Sequence, residues 1–351
     1  MKKISIILGL ILWLSFLSTK AYAQYTFIVP QKPGAGTTVW TELIVSELQK
    51  YLDEDIRIKL IPGARDIPGF NKFHNELQYN DKTVMVSHGG NGVSYLQERV
   101  DYDYKDYESI GLMNLNIIAG KHKGDNMNNP VFAAGSGMVP EAFAMTLLLC
   151  GPDKDMQGYI DCFKEKVTWV AGMNGSERRL AFKRGELNGT RENPVAYKKH
   201  VISNANAEVW FHHGILNPVT GKHSDDINYP GYQLEILFQQ KWGVKPSGEF
   251  YDTYVLVKSF RDGLQKAIWI KKDSPHKVKL VTALSNMVNN EVSMQKLTEK
   301  TGNYEWYIGS KGDKMRDTLL TFVTESALQN LVRFNTEALG LKSIYKSNLV
   351  Q

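Results

Sequence analysis

Only two cysteines occur in the 351 residues, Cys150 and Cys162, and they do not form a Cys-x-x-Cys pair, which argues against a thiol redox centre. No cysteine follows the apolar N-terminal run, so a lipid-anchored form is not expected. Lysine and arginine are scattered without forming a block, and the formal net charge is +5; nucleic acid is thereby set aside as the main partner. Beyond the N-terminus no stretch has the length and apolarity of a membrane span. There is no low-complexity tract and no short-period repeat.

Catalytic patterns are missing as well. The Gly-rich turn Gly34 to Thr38 lacks the Gly-Lys-Ser/Thr ending of a phosphate-binding P-loop. In Ala133-Ala134-Gly135-Ser136-Gly137, Ala134 stands where a nucleophile elbow needs glycine, two residues before the serine. His212-His213 and His223 show no zinc-enzyme spacing, and adjacent histidines rarely share one face. The expectation is a protein with no metal, no cofactor and no catalysis.

The first 23 residues read as an export signal. Lys2 and Lys3 give a positive start, Ile4 to Leu17 is almost wholly apolar, and Ala21-Tyr22-Ala23 has the small-x-small pattern of a cleavage site. An uncleaved membrane anchor is the alternative, but the apolar run is short for a bilayer. Cleavage would leave a periplasmic chain beginning at Gln24, and loss of Lys2, Lys3 and Lys20 lowers the charge from +5 to +2. The remaining chain of about 330 residues is more than one compact core usually holds, so two lobes are expected. In an oxidising compartment Cys150 and Cys162 could form one structural disulfide; their spacing alone leaves this open. Asn174-Gly175-Ser176 and Asn188-Gly189-Thr190 match glycosylation sequons, discounted because the signal fits a bacterium.

Past the signal, Tyr25 to Val29 reads as a strand that stops at Pro30, followed by a turn from Pro33 to Thr38. Trp40, Leu43, Ile44, Leu48, Tyr51 and Leu52 then recur at helical spacing, and Ile56, Ile58 and Leu60 alternate at strand period. A second turn, Pro62 to Asp66, precedes another helical stretch, the triplet Val84-Met85-Val86 and a third loop, Ser87 to Gly92. The pattern returns at Val131 to Ala134, Pro140 to Leu149 and Thr168 to Val170, with a helical segment after Ser176. Strand, loop and helix in repetition predict a parallel α/β lobe. Ser203 to Tyr254 carries no clear pattern; Val278 to Val288 and Leu319 to Leu331 read as amphipathic helices.

In an open α/β sheet ligands bind beyond the carboxyl ends of the strands. Glycine there lets backbone N–H groups approach a ligand, and a helix starting at the same point adds the positive end of its dipole. Gly34 to Thr38 and Gly135 to Ser136 both lead into helices and are candidate anion cradles; a tight turn is the plainer reading of each.

These loops resemble those of the solute-binding receptors of tripartite tricarboxylate transporters, the Bug-type periplasmic proteins. The similarity rests on Ile28 to Thr38, Ile58 to Gly69, Ala133 to Met138, Leu180 to Asn188 and Gln265 to Val281, in that order. The resemblance implies a two-lobed α/β periplasmic-binding-protein (Venus-flytrap) fold, each lobe a mostly parallel sheet flanked by helices. Lobe one would comprise residues 24–120 and 258–351, and lobe two residues 121–257. It further implies a monomer that clamps a small organic carboxylate and delivers it to membrane transporter subunits. The ligand-binding residues carried over are Gly34, Ala35, Gly36, Thr37, Thr38, Gly63 and Ala64 in lobe one, with Ser136, Gly137 and Asn188 in lobe two. Ala35, Thr38, Glu42 and Asn188 depart from the residues usual in the family, and Arg65 and Asp66 interrupt the second turn. Thr38 is still able to cap the helix. A sensory module with the same fold and an exported hydrolase using Ser136 are the alternative functions.

Overall fold

The computed structural model describes residues 24–134, 139–173, 175–203 and 206–350. The expected signal peptide, residues 1–23, lies outside them. The described chain forms two mixed sheets, each with helices against it.

The first sheet has strand order β13-β4-β12-β3-β1-β2. Its strands are β1 (Tyr25–Val29), β2 (Ile56–Leu60), β3 (Thr83–His88), β4 (Tyr107–Met113), β12 (Lys266–Lys271) and β13 (Trp306–Ile308). β2, β1 and β3 run parallel, whereas β12 pairs antiparallel with β3 and β4. The second sheet, order β7-β6-β8-β5-β9, takes β5 (Ile118–His122), β6 (Val131–Ala134), β7 (Thr168–Ala171), β8 (Gly189–Glu192) and β9 (Ala207–His212). Here β7, β6 and β8 are parallel and β5 runs against β8 and β9. The parallel reading thus holds for three strands of each sheet. β5 and β12 each follow a point where the chain passes from one sheet to the other, and β13 pairs antiparallel with β4 at the edge of the first sheet. A ribbon of β10 (Ile215–Leu216) and β11 (His223–Ser224) stands apart.

The first passage is short. Residues 114–117, all buried, join β4 directly to β5. Asn114 Nδ2 donates to the Leu216 carbonyl at 2.7 Å and Asn116 Nδ2 to Asp226 Oδ2 at 3.1 Å, while Leu115 N–H reaches the Asp262 carbonyl at 3.3 Å. Asp262 belongs to the return passage, at the end of the Glu249–Gly263 helix before β12. The His213 imidazole donates to its carboxylate at 2.8 Å. The helix packs on Gly89–Gln97, beside the first sheet, and on Val139–Cys150, beside the second. Glycine makes the first of these contacts close: a Cβ at Gly92 would lie 2.5 Å from the Phe260 carbonyl oxygen, and one at Gly89 would overlap that of Arg261. The sequence-based limit at 257/258 falls inside this helix.

Cys150 and Cys162 are bonded, with Cα atoms 6.1 Å apart, and tie the Val139–Cys150 helix to Met156–Lys166. The amphipathic stretch expected from Leu319 to Leu331 is instead the junction of two helices, Ser310–Leu320 and Glu325–Glu337. Thr324 interrupts it by capping the second helix, its hydroxyl accepting the Ala327 N–H.

Candidate functional site

The carboxyl ends of β1, β2 and β3 open onto the three turns singled out in the sequence. After β1 the chain turns at Gly34, whose φ of 75° lies in the left-handed region that favours glycine. The helix then starts at Gly36 behind an extended Ala35 that offers no side-chain cap. The Thr37 N–H is taken by Gln31 Oε1 at 3.0 Å. No partner for the N–H groups of Gly36 and Thr38 is found among the described residues. Thr38 is not the cap expected of it. It lies within the helix, fully buried, and its hydroxyl donates back to the Lys32 carbonyl at 2.9 Å.

In the second turn Gly63 and Ala64 are exposed, and Arg65 and Asp66 take positive φ values of 55° and 60°. That twist leaves Arg65 paired with Glu98 and turns Asp66 toward the other two strand ends. Asp66 Oδ2 accepts from Gln31 Nε2 at 2.9 Å and from His88 Nε2 at 2.7 Å. One side chain from each of the three loops thus meets at a point. His88 Nδ1 accepts the Gly90 N–H, which fixes the proton on Nε2. Burial lowers the His88 pKa, only partly offset by Asp66, so the ring is neutral. Burial raises the Asp66 carboxyl, but hydrogen bonds from His88 and Gln31 outweigh it and hold the group below its ordinary value. Sequence reasoning noticed Asp66 only as an interruption; nothing in the pattern indicated that it ties the loops together.

Lys266 was missed altogether. It begins β12, and because that strand is antiparallel its first residue lies opposite His88, at the carboxyl end of β3. The side chain is 7% exposed and its Nζ donates to Thr37 Oγ1 at 2.8 Å. No carboxylate lies within ion-pair distance of it among the described residues. Burial, reinforced by Arg261, lowers its pKa to about 7 despite Asp66 nearby.

Gly36 and Lys266 line one wall of a cavity of about 190 Å³, with Trp40 and Lys300; the opposite wall is Asn193, Val195, Ala196, Lys199 and His200, from the segment after β8. A larger cavity of about 870 Å³ shares Val195 and Lys199 and extends between Pro194–Ser203 and Thr298–Tyr304. The ionisable groups lining the smaller cavity are all potential cations. Burial and the neighbouring Arg179 and Lys199 lower the His200 pKa.

Beside this gap, Arg178 and Arg179 bond Glu192 at 3.2 and 2.7 Å, and Arg191 lies 3.3 Å from the fully buried Glu141. Burial and Arg191 lower the pKa of both Arg178 and Arg261 to about 10. Arg261, in the return passage, therefore joins the second lobe's arginines to the Lys266 pocket.

The expected lobe-two contacts Ser136 and Gly137 lie outside the described residues. Asn188 does not join the site. Its Oδ1 accepts the Val131 N–H at 2.7 Å, holding the first residue of β6 at the amino end of that strand. The three flagged histidines are structural: His212 binds the Tyr229 carbonyl and Asp225, His213 binds Asp262, and His223 contacts Ser259. No group of three or more His, Cys, Asp or Glu side chains suited to a metal occurs among the described residues.

No protein-family model matches the chain, and no curated protein matches it by sequence. Solved structures do match in three dimensions. A TctC solute-binding protein from Polaromonas, without ligand, superposes with a TM-score of 0.59 at 12% identity, over 88% of this chain and 98% of that one. This is the fold of a periplasmic binding protein. The periplasmic binding protein BugD matches with a TM-score of 0.55 at 11% identity, over 90% of this chain and 97% of its own. An R. palustris protein with adipate matches at 0.52 and 14% identity, over 90% and 97%.

Proposed function

We propose that the chain is an extracytoplasmic solute-binding receptor that clamps a small organic carboxylate between two lobes and delivers it to a membrane transporter. The lobes would be residues 24–120 with 258–351, and 121–257. The observation that carries this reading is the interlobe cavity, where the amides at a helix start meet a buried ammonium and further cations. Two favourable effects converge on an anion placed there: the dipole end, with N–H groups that have no partner among the described residues, and charge-assisted hydrogen bonds beside a buried side chain. The adipate found on a protein of the same fold gives the ligand class its second support.

A thermal-shift series of the mature chain with lactate, malate, adipate and citrate tests the reading. A true ligand raises the melting temperature with the logarithm of its concentration above Kd. Shifts from sugars or amines, with none from any of these acids, would overturn it.

A further inference from the structure

The feature that stands out in the cleft is a lysine with no ion-pair partner among the described residues. A buried ammonium is costly unless paired, and among the described residues Lys266 has only a hydroxyl, Thr37 Oγ1, as its hydrogen-bond partner. It is more than nine-tenths buried, lines the interlobe cavity, and stands beside the helix start at Gly36. The Arg178 and Arg179 guanidiniums have Glu192 close by, and Lys258 has Glu235; Lys266 differs from them in this respect.

We propose that Lys266 is the ion-pair partner of the bound carboxylate, so that the site selects anions through a side chain as well as through main-chain amides, and takes up a proton with its ligand. This rests on the carboxylate-receptor reading and deepens it. In the empty site the amine is held near neutrality by its surroundings. An arriving carboxylate supplies the missing countercharge and fixes the proton on Nζ. The groups facing Lys266 are Asp66 and His88 from the ends of β2 and β3, and Arg261 from the return passage. Lys199, His200 and Lys300 face the same cavity. His88 and His200 are shifted below the ordinary imidazole range, so from pH 6.5 upward they are largely uncharged and Lys266 is the group that changes state.

The test is isothermal titration of the wild type, Lys266→Met and Lys266→Arg with whichever of lactate, malate, adipate and citrate binds. It is run at pH 6.5 and pH 8.5 in buffers of different ionisation enthalpy. For the wild type, affinity should fall about 20-fold between the two pH values, and uptake should rise to about one proton per ligand at pH 8.5. Lys266→Met should bind at least tenfold more weakly at pH 6.5, lose the pH dependence and the proton uptake, and melt no lower than the wild type without ligand. Lys266→Arg should keep charge-dependent binding but lose the pH dependence, because its guanidinium does not titrate in this range. Wild-type binding with no proton uptake, or wild-type affinity in Lys266→Met, would sink this inference and leave the receptor reading standing. Failure of the wild type to bind any of the four acids would sink both.

Discussion

At Gly36 an added Cβ would meet nothing within 4 Å, although the residue starts a helix and lines the cavity. That combination separates stability from binding. A carboxylate at a helix start contributes about 0.3–1 kcal/mol of stabilisation through the dipole, yet it would sit where the ligand's own carboxylate is proposed to go. Gly36→Asp is therefore expected to leave the ligand-free melting temperature unchanged or raised while weakening acid binding at least tenfold; a calorimetric titration with undiminished affinity would move the anion elsewhere. Thr38 is a poorer probe of the same idea. It is fully buried with its hydroxyl engaged by Lys32, so an aspartate there would disturb the fold and the ligand together.

Among the elements, the bonded helices Val139–Cys150 and Met156–Lys166 carry a clear expectation. Closing a loop with a sequence separation of 12 restricts the unfolded chain and contributes about 2–3 kcal/mol. Replacing both cysteines by serine should lower the urea midpoint accordingly, and treating the wild type with reductant should reproduce the loss; equal midpoints would mean the bond constrains little. Strands and turns in the first sheet were legible because local pattern and environment agree. β2 is an edge strand, so Ile56, Ile58 and Leu60 alternate with Arg57, which is exposed, and Lys59, which is half-buried. β3 lies between two strands and is almost wholly buried, hence its unbroken apolar triplet. The turns at Gly34 and Gly63 were legible through glycine and proline. Lys266 was not, because its place depends on β12 returning from more than 170 residues away to lie antiparallel beside β3, a pairing that no local pattern encodes. The same holds for Asp66, whose partners Gln31 and His88 come from two other loops. Asn188 misled in the opposite sense: its motif neighbours were recognised, but which end of β8 it occupies follows from register.

For the molecule as a whole, the buried His212 and the half-buried His88 and His223 contribute to the response to acid. Burial lowers the pKa of His88, His212 and His223, the last well below its ordinary value. An unfolded histidine takes its proton near pH 6.5, so below that point the unfolded chain holds more protons than the folded one, and stability falls with pH at up to about 1.4 kcal/mol per unit for each group. The urea midpoint is expected to be clearly lower at pH 5 than at pH 7; an unchanged midpoint would contradict the lowered pKa of these rings. Lys266 acts with the same sign at higher pH. Its folded pKa of about 7 lies below the unfolded value, so the ligand-free protein gains stability as pH rises from there. The two passages between the sheets, residues 114–117 and the stretch around Asp262, are bonded to each other, and Lys266 follows only four residues after Asp262. A counter-ion mounted so near the pivot has a short lever arm. If the halves close as proposed, it would scarcely travel, whereas the stretches Pro194–Ser203 and Thr298–Tyr304 that line the larger cavity would sweep further. On that proposal the charge offered to the ligand would stay almost still while the walls came to it.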